Sequence, residues 1–145
     1  MEKRFFEIAH MDPLGQGVSK KEKITFIEKT LPGEKGQTTI YKEVKGVSFG
    51  FISNEDDLKI KSNDRIRPEC PHYWKCPGCQ YLHTNYKNEI SFKRKSLERH
   101  ILPLTKTLPT PPEVKIHSAM RRFQYRNRVQ LHYDLTKKKL GLISF

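Results

Sequence analysis

The chain has 145 residues, 35% of them hydrophobic, with a mean hydropathy of −0.75 and a net charge of +12. That core is lean, but 10% aromatic content exceeds what a disordered chain carries. No apolar run approaches the roughly eighteen residues of a membrane helix, and acids interrupt the opening "MEKRFFEIAHMD" where a secretory signal needs an apolar stretch, so a cytoplasmic protein with no membrane partner is expected.

Residues 1–67 read as short strands separated by turns. "FFEI" is followed by the breakers of "DPLGQG". "KITFIEK" alternates at Ile24 and Phe26, with Ile27 spoiling the pattern. "LPGEKG" is a turn, and "TTIYKEV" and "VSFGFI" are rich in β-branched and aromatic residues. Four or five strands in so short a span predict a small closed barrel, because a flat sheet of that size leaves exposed edges.

Residues 68–84 contain Pro68, Pro71, Pro77 and Gly78 and are expected to be an irregular loop. The following "NYKNEISFKRKSLERHI" predicts a helix with Asn85 as its N-cap. Tyr86, Ile90, Leu97 and Ile101 form its apolar stripe, broken at Lys93. The prolines of "PLTKTLPTPPEV" predict an extended connector. "RRFQYRNRVQLHYDL" alternates again, with Phe123, Tyr125, Val129, Leu131 and Tyr133 on one face, and "LGLISF" starts a return strand. The sequence stops at Phe145 within apolar material, which reads as an unfinished domain.

The charge is distributed unevenly. Residues 1–70 carry 13 Lys/Arg against 12 Asp/Glu, and residues 71–145 carry 15 against 4. The basic half also holds Tyr73, Trp74, Tyr81, Tyr86 and Phe92. Cations neutralise phosphates and rings stack on unpaired bases, so the combination points to RNA. Candidate phosphate contacts are Arg65, Arg67, Lys93, Arg94, Arg122, Arg126 and Arg128.

The stretch "CPHYWKCPGCQYLH" holds all three cysteines, Cys70, Cys76 and Cys79. The Pro77-Gly78 turn lets the CxxC pair reach one metal. A fourth ligand is needed; His72 and His83 are the candidates within the chain, and His83 gives a pattern resembling a Cys3His zinc finger. Iron–sulfur clusters prefer four thiolates, and a distant fourth cysteine is common among them. A redox CxxC lacks its βαβ context here. Three unrelated thiols are the remaining alternative.

Taken together, these segments resemble one family. "GQGV" and "FIEKTLPGEKG" look like the TRAM domain, a small OB-like barrel that binds RNA. "DRIRPECPHYWKCPGCQYLHTNYKNEISFKRKSL" is similar to the segment after TRAM in bacterial RNA uracil-C5-methyltransferases, especially those acting on 23S rRNA, and "YRNRVQLHY" to the first strand of their central domain. The resemblance implies that Cys70, Cys76 and Cys79 bind a [4Fe–4S] cluster with a fourth cysteine, yet none follows Cys79. It also implies a C-terminal Rossmann-like domain with the S-adenosylmethionine site and the catalytic groups, none of which this chain supplies.

The expectation is therefore a mainly β chain with one helix. A TRAM-type barrel (1–67) precedes a cysteine loop, a basic helix and the first strands of an incomplete α+β domain (68–145). It is expected to be a monomer that binds RNA, in particular rRNA, and to be inactive without a catalytic domain. A self-sufficient zinc RNA-binding module is the alternative.

Overall fold

The aromatic and β-branched run at the N-terminus forms β1 (Lys3–Met11). Then come β2 (Gly17–Ser19), β3 (Thr25–Glu28), β4 (Lys35–Val44), β5 (Val47–Phe51) and β6 (Leu58–Ile60), the last entered through a 3-10 turn, Glu55–Asp57. The structure is a computed structural model and describes residues 2–125 and 127–141.

The strands close on themselves. β1 pairs antiparallel with β2 and β4, β2 with β3, and β4 with β5, while β3 and β5 run parallel. The ring is β1-β2-β3-β5-β4-β1, a five-stranded barrel of OB-like form in a mainly β chain. Closure pairs every strand edge within the ring, as a sheet this small requires. β6 adds to β4 outside the ring, at Lys35 and Gly36. A Cβ at Gly36 would meet the Asp57 carbonyl oxygen at 2.1 Å, so only glycine lets that turn approach.

Phe6, Ile8, Ile27, Ile52 and Leu58 fill the interior, and Trp74 packs against them from the cysteine loop. Each such buried side chain contributes about 1.5–3 kcal/mol. Ile27, which broke the alternation expected of its segment, is the core residue there. Thr25 and Ile27 point inward, and Ile24 lies before the strand at 46% exposure. The breakers before Gly17 likewise give way to strand sooner than expected, with β2 starting at Gly17 itself.

The helix α1 (Tyr86–Thr105) is capped by Asn85, whose side chain accepts from the Asn88 N–H. It is longer than expected and includes Pro103. Past the proline, the Thr105 hydroxyl donates back to the Ile101 carbonyl. The buried face is also rotated from the expected stripe. Phe92 and Ser96 are buried, whereas Leu97 is exposed. Phe92 joins Met11, Leu31 and Tyr81 in a second cluster, and this contact with the barrel orients the helix.

The long strand expected over residues 121–135 shrinks to a hairpin of β7 (His132–Asp134) and β8 (Lys139–Gly141). Phe123, Tyr125, Val129, Leu131 and Tyr133 are exposed, and among the described residues no further strand covers them. "LISF" lies outside the described residues.

Candidate functional site

The cysteine loop is fastened to the barrel from both sides. Its ends meet at a bridge between Arg65 and Thr84. The Ile66 N–H donates to the His83 carbonyl at 2.9 Å, and the Thr84 hydroxyl to the Asp64 carbonyl at 2.8 Å. Lys29 leaves β3 in a left-handed conformation, φ 61°. Its buried ammonium donates to the carbonyls of Tyr73 (2.6 Å), Trp74 (3.1 Å) and Cys76 (3.3 Å). Burial lowers the Lys29 pKa below that of an ordinary lysine.

Beside it, Tyr73 and His83 are fully enclosed. The Thr30 carbonyl can only accept, so His83 Nε2–H donates to it at 3.4 Å and Nδ1 accepts from the Tyr73 hydroxyl. Burial, then the nearby Arg65, push the His83 pKa down to about 3, and burial raises that of Tyr73. The imidazole is neutral and both its nitrogens are engaged. It points into the protein, which removes it as the fourth metal ligand.

The thiols sit at the outside of this arrangement. Cys70 and Cys76 are half-buried, Cys79 is exposed, and no disulfide joins them. The Gly78 N–H points at Cys76 Sγ at 3.4 Å. Three thiols on one loop suit zinc or an iron–sulfur cluster in kind. In arrangement they do not: among the described residues, no three His, Cys, Asp or Glu side chains are gathered closely enough to hold a metal ion.

The basic candidates divide. Arg65 is 4% exposed and forms a forked ion pair with the fully buried Glu34, its Nη2 at 2.7 Å from Oε2 and also donating to the Lys29 carbonyl. Glu34 additionally accepts from the N–H groups of Leu31 and Ser62. Arg65 is thus a structural residue and not a surface phosphate contact. Arg122 is similarly engaged, with Nε on Glu89 and Nη2 on the carbonyls of Tyr81 (2.7 Å) and Thr84 (2.8 Å). Lys93 pairs with Glu89 and Arg94 with Glu98, each along one helical turn and half exposed. Arg67 and Arg128 are exposed, and Arg126 lies outside the described residues.

Two clefts collect the rest. One, about 510 Å³, lies between the loop, α1 and residues 116–125, and brings Cys79, Tyr86, Lys93, Arg121 and Phe123 together. The other, about 950 Å³, is lined by Arg67, Cys70, Lys61 and Trp74. Lys29 and Glu34, which organise the region, escaped the sequence reading. The only signal for them was their setting in "EKTLPGEKG", where charged residues flank a tight turn.

No family model matches the chain. Individual proteins do. A 23S rRNA (uracil(1939)-C(5))-methyltransferase RlmD of Shewanella sediminis is 30% identical over 139 residues, 94% of this chain and 30% of that protein. The RlmD of Pectobacterium atrosepticum is 32% identical over 139 residues, covering 94% and 29%. An uncharacterized RNA methyltransferase of Listeria monocytogenes is 33% identical over 127 residues, covering 87% and 27%. The chain spans less than a third of the length of these relatives. Matched along nearly its whole length, it belongs to the RNA methyltransferase family that includes the bacterial 23S rRNA (uracil-C5)-methyltransferases, the family its motifs resemble.

Proposed function

We propose that the chain is the RNA-recognition portion of an S-adenosylmethionine-dependent rRNA uracil-C5-methyltransferase, working as a monomer in the cytoplasm. The observation that carries this reading is the match along 94% of the chain to a protein named for that activity. The barrel (1–67) is a TRAM-type RNA-binding unit, and residues 68–145 add a basic surface. Phosphates are held by Arg67, Lys93, Arg94 and Arg128, with Arg126 retained on sequence alone. Methyl transfer belongs to a catalytic domain outside these 145 residues.

Cys70, Cys76 and Cys79 are proposed as three ligands of a [4Fe–4S] cluster. Cys79 is the last cysteine of the chain, so the fourth thiolate comes from elsewhere. Their present separation means that binding would require the loop to close around the cluster. The zinc alternative loses its support, because His83 is turned inward.

Fluorescence anisotropy with a labelled rRNA hairpin tests the RNA reading. Four or five neutralised phosphates predict a loss of about a hundredfold in affinity between 50 and 200 mM salt. Absent or salt-insensitive binding overturns it.

A further inference from the structure

The outer wall of the barrel carries an aromatic face that the basic second half does not explain. Phe26 on β3 and Phe49 on β5 are register partners across the parallel pair, and both point outward. Their rings stack at 5.5 Å and 18°. One row along, Phe51 meets Tyr41 of β4 at 6.2 Å. None of the four is buried.

A bulge in β4 equips this face with charge. The register shifts between Ile40 and Lys42, so Ile40 stays inward opposite Gly50 while Lys42 comes to stand opposite Phe49. Strict alternation would turn Lys42 away from Tyr41, whereas the extra residue leaves both side chains on the outer wall. The Lys42 ammonium lies 6.0 Å from the centre of the Phe49 ring. Lys23, paired with Glu43 at 3.7 Å, and Lys45 stand exposed at the same end of β3 and of the β4–β5 turn, and Glu28 shares the outer wall beside Phe51 at the other end. The border is mixed in charge, but the cation nearest the stacked Phe26–Phe49 pair is the Lys42 ammonium.

We infer that Phe26 and Phe49, bordered by Lys42, form a stacking platform for an unpaired base of single-stranded RNA, with the ammonium meeting the adjacent phosphate. The inference rests on the RNA-binding reading above and assigns a separate contact within it. A duplex offers phosphates but no free base face, so the platform distinguishes single-stranded from double-stranded RNA.

The test compares the full 145-residue chain with Phe49→Leu, Phe26→Leu and Lys42→Gln variants. The probes are an unstructured 12-nucleotide RNA and a duplex of the same length. The leucine variants keep apolar bulk on the sheet, and circular dichroism melts check that they fold. Phe49→Leu is expected to weaken single-strand binding about tenfold, the loss of one stacked base, and to leave duplex binding unchanged. Lys42→Gln is expected to lower the slope of log affinity against log salt by about 1. Equal affinity of Phe49→Leu and the unaltered chain for the single strand overturns the platform while sparing the RNA reading. Failure of the unaltered chain to bind either probe overturns both. A parallel loss on duplex and single strand in a folded variant also overturns the platform, because no base face is then being read.

Discussion

Lys29 of the barrel and Tyr73 of the cysteine loop meet at 2.6 Å, the lysine ammonium donating to a buried backbone carbonyl and reaching two more carbonyls of the same loop. The loop's own backbone bonds are short-range turns, such as Tyr73 N–H to the Cys70 carbonyl, so its position on the barrel depends on an outside donor. Replacing Lys29 by Met keeps the apolar stem and removes the donor, leaving these carbonyls without it. The expected cost is about 2–3 kcal/mol, the range for a lost charge-assisted hydrogen bond. Backbone amides of residues 73–79 should exchange faster with solvent than in the unaltered chain, while β1 and β4 stay protected. Unchanged exchange in the loop would show that Trp74 packing and the Tyr73–His83 pair hold it without Lys29.

The Glu34–Arg65 pair makes a stronger demand. Both side chains are out of solvent, and the carboxylate takes four donors. Glu34→Gln leaves a buried guanidinium without its counter-charge and should destabilise the chain by about 3 kcal/mol. Arg65→Lys should also be costly, because one ammonium cannot span both the Glu34 oxygens and the Lys29 carbonyl as the planar fork does. Urea unfolding measures both. A loss below about 0.5 kcal/mol for either would mean that the pair relaxes into water.

His83 gives the fold a pH dependence of defined sign. Its pKa is about 3 in the folded chain against 6.5 for a free imidazole. Between these values the unfolded chain binds the proton and the folded chain does not, so stability is complete above pH 6.5 and falls as the pH drops toward 3. The contribution is about 1.4 kcal/mol per pH unit within that window. Carboxylates add their own dependence, so the measurement is a difference. The stability gap between the unaltered chain and His83→Gln should shrink on acidification from pH 7 to pH 4.5. A constant gap would place the histidine in contact with solvent.

Much of the barrel was legible because strand signals are local. "TTIYKEV" and "VSFGFI" lie within β4 and around β5, and Asn85 caps the helix as its side-chain chemistry predicts. Partnership across the chain was not legible. Arg65 and Arg122 look like surface charges in sequence, and they are spent on Glu34 and Glu89, 31 and 33 residues away. His83 has metal-ligand spacing, but its fate was decided by Tyr73 and Thr30. The helix face was misjudged for the same reason. Period alone favoured Leu97, whereas the packing of Phe92 against Met11, Leu31 and Tyr81 fixed the rotation. The cysteines carried the family signature without revealing how far apart they stand.

These attachments also predict what metal removal does. Small zinc domains unfold when their metal is chelated, because the metal supplies the folding energy. Here Lys29, the Tyr73–His83 pair and Trp74 fasten the loop to the barrel through protein contacts. The triple variant Cys70→Ser, Cys76→Ser, Cys79→Ser should stay within about 1 kcal/mol of the unaltered chain. Chelator should leave the urea midpoint unchanged. Under anaerobic reconstitution with iron, sulfide and a small thiol that supplies the fourth ligand, the unaltered chain should take up iron and the serine variant should not. A collapse of the fold with chelator would make the metal a structural staple.

The segment around Ala119 and Arg122 is held against the helix and the end of the cysteine loop. Two attachments are visible. Tyr86 exchanges hydrogen bonds with both backbone groups of Ala119, its hydroxyl accepting at 3.0 Å and donating at 3.2 Å. Arg122 then reaches Glu89 and the carbonyls of Tyr81 and Thr84. Arg122→Ala removes the second attachment but touches nothing inside the barrel. Glu89 keeps Lys93 as a partner, so no carboxylate is stranded. The barrel should therefore lose no more than about 1 kcal/mol. The segment itself should open, and tryptic cleavage after Arg128 should accelerate severalfold. Arg122→Lys should not restore protection, since Arg122 reaches Glu89 from Nε and the two carbonyls from Nη2, and one ammonium nitrogen cannot stand at both places. If cleavage after Arg128 is unchanged in Arg122→Ala, the Tyr86–Ala119 contact alone holds the segment, and the wall of the cleft containing Cys79 and Lys93 does not depend on Arg122.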